Sequence, residues 1–215
     1  MKLLICDFDG TLVESKEAVT FAVNFIRKER HALPPLSPRE VVSILDAMRP
    51  TLEKELFGPE AGPEDREAFR REYARCAAER VDFVPGMRST LERLVDKGVL
   101  LAVATNGSGS FPRQILRARG AEALFRVILG ADDVPRPKPA PDMLLEICRR
   151  LDRSPDRQSC CMLGDSLNDM LAARAAGMRE LFAGWGYMRP TEKMDIVHRP
   201  EELIDIFSYG DRSWN

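Results

Sequence analysis

Histidine is nearly missing from this chain. His31 and His198 are the only two in 215 residues, so a metal centre built on imidazoles has no material. Cysteine is sparse too: Cys6, Cys76, Cys148, Cys160 and Cys161 are odd in number and show no C-x-x-C spacing, which excludes a thiolate zinc site. They read as reduced, inert core thiols of a cytoplasmic protein. No apolar run approaches the ~20 residues that a membrane span requires. Only four apolar-type residues separate Met1-Lys2 from Asp7, too few for a signal peptide. Neither charge sign is in excess: 32 Lys and Arg against 34 Asp and Glu give a net charge of −2. Nothing therefore favours nucleic acid or an anionic membrane as a partner. Repeats, low-complexity tracts and long linkers are absent as well. What remains, 44% hydrophobic and 31% charged, is globular composition, long enough for one domain carrying an insertion.

Short apolar runs recur, each ending in a polar loop. Lys2 to Cys6 ends in Asp7-Phe8-Asp9-Gly10-Thr11, Val99 to Ala104 in Thr105-Asn106-Gly107, Val127 to Leu129 in Gly130-Ala131-Asp132, and Cys160 to Leu163 in Gly164-Asp165-Ser166. Helical patterns lie between and after them, over Arg88 to Lys97, Phe111 to Arg119, Asp142 to Leu151 and Leu167 to Ala176. Uninterrupted apolar strands alternating with helices predict an α/β fold with a covered parallel sheet, which binds ligands at the carboxyl ends of its strands. The rhythm breaks between Ser15 and Asp82. That stretch holds apolar positions at helical spacing, such as Val19, Ala22, Val23 and Ile26, punctuated by Pro34, Pro35, Pro38 and Gly58-Pro59. It reads as a helical insertion, a candidate lid. Both histidines lie away from the strand ends and read as surface residues.

The chemistry-bearing residues fall at those ends. Asp7 and Asp9 flank Phe8, and positions i and i+2 of a strand share a face, so two carboxylates can enter one site. Like charges this close raise a pKa or recruit a cation. Gly10 lets the backbone approach a ligand; an ordinary Asp-Gly turn is the alternative. Asp165 ends another strand with Asp169 one helical turn on, while Ser166-x-x-Asp169 is equally a capping box. Asp7 and Asp165 with backbone carbonyls and water form an all-oxygen site that suits Mg²⁺. Thr105-Asn106 offers a hydroxyl and backbone N–H groups to a phosphate, the alternative being a hairpin turn. Lys138 is held between Pro137 and Pro139 in a stiff loop, aimed as a phosphate site would need.

Asp7-Phe8-Asp9-Gly10-Thr11-Leu12, Thr105-Asn106, Lys138-Pro139 and Gly164-Asp165-x-x-x-Asp169 together resemble the four ordered motifs of haloacid dehalogenase-like hydrolases. Gly164 to Gly177 and Gly184-Trp185-Gly186-Tyr187 are most similar to the phosphoglycolate phosphatase-like subgroup with a helical cap. The resemblance implies a three-layer, Rossmann-like α/β core over residues 1–14 and 83–215, with residues 15–82 inserted as an all-helical cap. Its connections near Leu12-Val13 and Phe83-Pro85 would then be hinges. It implies that Asp7 becomes an aspartyl phosphate and that Asp9 is the acid and base, its carbonyl also binding the metal. Thr105, Asn106 and Lys138 would hold the phosphoryl oxygens. Asp165 would ligate Mg²⁺, with Asp169 supporting its water shell and Gly10 and Thr11 supporting the turn.

Asp9 favours phosphate esters, since dehalogenases of the family lack this second aspartate and its phosphonate hydrolases place a small residue there. The cap departs from the relatives at Ile44 to Pro50, where they often carry a glycine-containing turn. Arg49 in that stretch is a candidate partner for a second anionic group on the substrate, or simply an exposed arginine. The reading is a Mg²⁺-dependent phosphatase of a small phosphorylated metabolite, 2-phosphoglycolate being one candidate, monomeric or homodimeric. A sugar-phosphate mutase of the same family and a catalytically silent binding module are the alternatives.

Overall fold

The run Leu3–Cys6 forms the first strand (β1), and each of its residues is 0% exposed, which requires cover on both faces. The computed structural model describes residues 1–47, 51–190 and 193–208. After β1 come β2 (Val13–Glu14), α1 (Lys16–His31), α2 (Pro38–Asp46), α3 (Leu52–Phe57), α4 (Pro63–Arg80) and β3 (Asp82–Phe83). The chain continues through α5 (Met87–Asp96), β4 (Leu100–Ala104), α6 (Ser110–Ala118), β5 (Phe125–Leu129) and α7 (Asp142–Arg150). It ends with β6 (Cys160–Gly164), α8 (Leu167–Ala175), β7 (Arg179–Ala183), β8 (Ile196–Val197) and α9 (Glu202–Ser208). Two units result, Met1–Val13 with Phe83–Asn215, and Glu14–Asp82.

The first unit is built on a six-stranded sheet in the order β5-β4-β1-β6-β7-β8, every pair parallel. Strand order reverses at β1, whose neighbours are β4 and β6. A crevice at the carboxyl ends is expected at such a reversal. Leu3 and Ile5 point into a core with Met143, Leu144 and Ile147 of α7 and Ala172 and Ala173 of α8. Leu4 and Cys6 alternate with them and are equally dry. All five cysteines are buried and unpaired. Among the described residues no helix is long and apolar enough to cross a membrane.

The second unit is helical. Val23, Ile26, Val41, Leu56 and Phe57 form its core, and buried Arg27 ties α1 to the carbonyls of Pro34 (2.8 Å) and Leu56 (2.6 Å). The start of α4 is fixed by Asp65, whose Oδ2 accepts the Gly62 N–H at 3.0 Å. Its Oδ1 accepts Arg30 Nε at 2.6 Å and lies 3.0 Å from His31 Nε2. His31 is therefore half-buried against a carboxylate rather than a free surface side chain. Burial pushes the Asp65 pKa up, but Arg30, the Gly62 N–H and His31 outweigh it and hold it at about 2. A depressed carboxylate pKa stabilises the fold in full above the ordinary 3.8, and the contribution disappears as pH falls toward 2. Asp65→Ala should cost about 1–3 kcal/mol at neutral pH in urea unfolding, with a flatter stability profile in that acid window. An unchanged midpoint would remove Asp65 from the account.

Candidate active site

At the end of β1 the ladder extends one residue, Asp7 N–H donating to the Leu163 carbonyl at 2.8 Å. The chain then turns sharply, with the Phe8 carbonyl accepting from Leu12 N (2.9 Å) and Val13 N (3.1 Å). The strand stops at Cys6, so the shared-face argument for Asp7 and Asp9 gives way to this turn, in which Asp9 is half-buried and bridges to Val13. Gly10 sits at φ +82°, and a Cβ there would meet Asp165 Oδ2 at 2.6 Å and the Tyr187 ring at 2.8 Å. Only glycine serves both needs.

Lys138 is 2% exposed, and its ammonium donates to Asp7 Oδ1 (2.7 Å), the Ala104 carbonyl (2.6 Å) and Asp169 Oδ1 (2.5 Å). Three hydrogens meet three acceptors. The lysine expected to grip phosphoryl oxygens is thus engaged with two carboxylates and a strand end. Asp169 divides its oxygens: Oδ1 takes Lys138, and Oδ2 accepts from the Ser166 N–H (3.1 Å) and hydroxyl (2.8 Å) in the capping box that opens α8. Gly164 permits this approach, since a Cβ there would lie 2.3 Å from Asp169 Cγ.

Asp165, also buried, accepts the Tyr187 N–H through Oδ2 at 2.6 Å, and Thr11 Oγ1 lies 3.5 Å from Oδ1. Ligand atoms of Asp7, Asp165 and Asp169 all lie within 4.8 Å of one another. Sequence reasoning expects the Asp7 and Asp165 carboxylates and the Asp9 backbone carbonyl around the metal with Asp169 in support; among the described residues the carboxylates that cluster are Asp7, Asp165 and Asp169. Burial pushes the Asp7 pKa well up; Lys138 opposes this, while Asp169 and Asp165 add to it. Burial alone would lower the Lys138 pKa, but Asp169 and Asp7 overcome it and raise it. Three buried carboxylates against one ammonium leave negative charge uncompensated, so the donor set fits a hard divalent cation.

Thr105 is buried; its N–H donates to the Leu129 carbonyl at 3.0 Å and its hydroxyl accepts the Gly107 N–H at 3.1 Å. Asn106 Nδ2 donates to the Lys138 carbonyl at 2.9 Å, while its Oδ1 is buried with no hydrogen bond. A buried acceptor left without a donor is uncommon in a finished site. The Thr105–Gly109 loop is clamped to the next strand's loop: Ala131 N donates to Gly107 O (2.9 Å), and Gly109 N to Asp132 Oδ1 (2.9 Å). A Cβ on Gly130 would lie 2.0 Å from Gly109 N, so the two loops touch backbone to backbone. α6 follows this loop, so Asn106-Gly107 is not a hairpin turn. Arg49 lies outside the described residues.

The sequence alone assigns no role in the site to the loop Gly184 to Tyr187. It follows β7, where the polar pair Arg179-Glu180 disguises the strand, yet the pattern of strand end followed by Gly-rich polar loop is the one that marks Asp7 and Asp165. Trp185 Nε1 donates to the Thr11 carbonyl at 3.0 Å.

The chain matches the family model of haloacid dehalogenase-like hydrolases over residues 4–183. It is 32% identical to a phosphoglycolate phosphatase of Chromobacterium violaceum, covering 98% of each chain. It is 28% identical to an N-acetylmuramic acid 6-phosphate phosphatase of Pseudomonas aeruginosa, over 96% of this chain and 94% of the relative. The crystal structure of a predicted phosphoglycolate phosphatase from Haemophilus somnus superposes with a TM-score of 0.83 at 26% identity, covering 97% of this chain and 98% of that one.

Proposed function

The chain belongs to the haloacid dehalogenase-like hydrolases, as a phosphoric monoester hydrolase of their phosphoglycolate phosphatase-like subgroup, and from that premise we propose that it is a Mg²⁺-dependent phosphatase working through an aspartyl phosphate, with 2-phosphoglycolate as a candidate substrate. The observation that carries the reading is the buried Asp7–Lys138–Asp169 arrangement beside Asp165, at the sheet's point of strand reversal. A carboxylate nucleophile and a phosphate dianion repel unless their charge is compensated, and this cluster has a built-in ammonium and room in its charge balance for a cation.

In this reading Asp7, Asp165 and the Asp9 carbonyl hold Mg²⁺, with Asp169 in support. Bound there, Mg²⁺ would supply the positive charge that lets a phosphate approach the carboxylates. An Asp7 oxygen attacks phosphorus, and the bond to the leaving oxygen breaks as Asp9 protonates it. Water then attacks the phosphoryl group while Asp9 takes its proton, and the bond to Asp7 breaks. Thr105 and Asn106 receive the phosphoryl oxygens. Lys138 opposes the upward push of burial on Asp7 and so favours its charged form. The five unpaired thiols suit a reducing cytoplasm.

Relatives of similar identity carry different substrates in their names, and in this reading the helical insertion, residues 15–82, is assigned the substrate choice. A panel of phosphate esters should release inorganic phosphate with Mg²⁺ present, with 2-phosphoglycolate among the best, and activity should vanish in excess EDTA and return with Mg²⁺. Asp165→Asn should remove most of it. Full turnover in EDTA would sink the metal assignment; no phosphate from any ester would sink the phosphatase reading.

A further inference from the structure

The loop Gly184 to Tyr187 takes no part in the chemistry above, yet it touches both strand ends that build the candidate cation site. β7 lies beside β6, and β6 lies beside β1. From the end of β7 the loop reaches past Asp165 to the turn that follows Asp9. At the loop's downstream end the Tyr187 N–H donates to Asp165 Oδ2 at 2.6 Å. Two residues earlier in the loop, the Trp185 indole N–H donates to the Thr11 carbonyl at 3.0 Å. Between them, Gly186 packs so closely that a Cβ would stand 2.1 Å from Asp165 Cβ and 2.6 Å from Asp165 Oδ2. Across the gap, a Cβ on Gly10 would strike that same Asp165 oxygen and the Tyr187 ring. Two glycines facing one carboxylate leave no room for the loop to shift without moving Asp165.

We propose that Trp185 is a positioning residue of the cation site: by fastening the loop to the Thr11 carbonyl it aims the Tyr187 N–H at Asp165 and thereby sets the orientation of that carboxylate for metal. The inference rests on the reading of Asp165 as a Mg²⁺ ligand. Its physical basis is that a ligand carboxylate anchored through one oxygen presents the other in a fixed direction. Partners of this kind are worth 10–100-fold in metal affinity. Only proline would delete the backbone N–H, and its ring would also constrain the loop, so the loop's grip is loosened instead. Trp185→Phe removes the indole donor and keeps an aromatic ring. Gly186→Ala displaces the loop directly.

The test is direct titration of full-length protein with Mn²⁺ alone, free ion being followed by electron paramagnetic resonance, beside Mg²⁺ activation curves. Trp185→Phe should raise the Mn²⁺ dissociation constant about 10-fold, and Gly186→Ala at least as much, with the number of sites unchanged. The Mg²⁺ concentration for half-maximal activity should rise in parallel, while kcat at saturating Mg²⁺ recovers most of its wild-type value. A merely structural tryptophan would lower the number of sites and the melting temperature at an unchanged dissociation constant, and that result overturns the proposal. So does wild-type affinity in both variants. Wild-type protein that binds no Mn²⁺ or Mg²⁺ would instead overturn the metal reading itself.

Discussion

Replacing Lys138 with methionine is expected to lower kcat/KM by about 100-fold or more, the scale set by loss of a preorganised electrostatic donor. Methionine keeps most of the side chain's length and loses its charge, leaving Asp7, Asp165 and Asp169 clustered without their ammonium. Asp7 is already pushed up by burial and by Asp169 and Asp165, and Lys138 is what opposes them. Its removal makes the nucleophile harder to keep ionised. Stability should fall as well, by about 3–5 kcal/mol, because breaking a buried pair strands the partner charges. Rates must therefore be expressed per folded molecule, with folding checked by circular dichroism. Lys138→Arg should rescue poorly: a planar fork cannot direct three donors to Asp7 Oδ1, the Ala104 carbonyl and Asp169 Oδ1 from one buried atom. Wild-type kcat/KM in Lys138→Met would reduce the lysine to a structural tie.

That triple engagement marks a limit of the sequence. Pro137 and Pro139 say that Lys138 is rigidly held, and it is 2% exposed. They do not say what its three hydrogens meet, because Ala104 and Asp169 come from distant segments. Asp169 shows the complementary case. The Ser166-x-x-Asp169 spacing is local, so its capping box is legible and forms. Asp169's second oxygen, which goes to Lys138, depends on the sheet having folded.

The strands show the same division. β1, β4, β5 and β6 are largely buried runs whose apolar letters stand out, exposed Arg126 in β5 aside, and each stops where a polar loop begins. β7 opens on half-buried Arg179 and Glu180, and edge strand β8 has only two residues, one of them exposed. Neither carries a periodic signal strong enough to read. With β7 unread, the Gly184 to Tyr187 loop has no strand end to belong to. Trp185 and Tyr187 then have no visible connection to Thr11 and Asp165, from which they stand 174 and 22 residues away in sequence.

Asp9→Ala is expected to separate the two half-reactions. Aspartyl phosphate forms when Asp7 displaces the leaving group, a step that needs a proton only when that group leaves poorly. An alkyl alkoxide is such a group, so alkyl phosphates should be turned over at a rate reduced by about 1,000-fold, within the range that general acid–base groups supply. An aryl phosphate has a stable leaving anion and departs largely unassisted. Its phosphoryl group then sits on Asp7, and release requires a water that loses its proton as it attacks. With no base at position 9, release is the slow step. One equivalent of phenol should appear as a burst, and the protein should gain the mass of one phosphoryl group on the peptide that contains Asp7, read by rapid acid quench and mass spectrometry. Asp7→Ala should show neither burst nor adduct, and Asp9→Glu should not restore alkyl turnover fully, since one added methylene displaces the carboxyl in a tight turn held by the Phe8 carbonyl. Turnover of alkyl and aryl esters by Asp9→Ala at the wild-type rate would remove Asp9 as acid and base. The two-step route through Asp7 would then need another group to activate water.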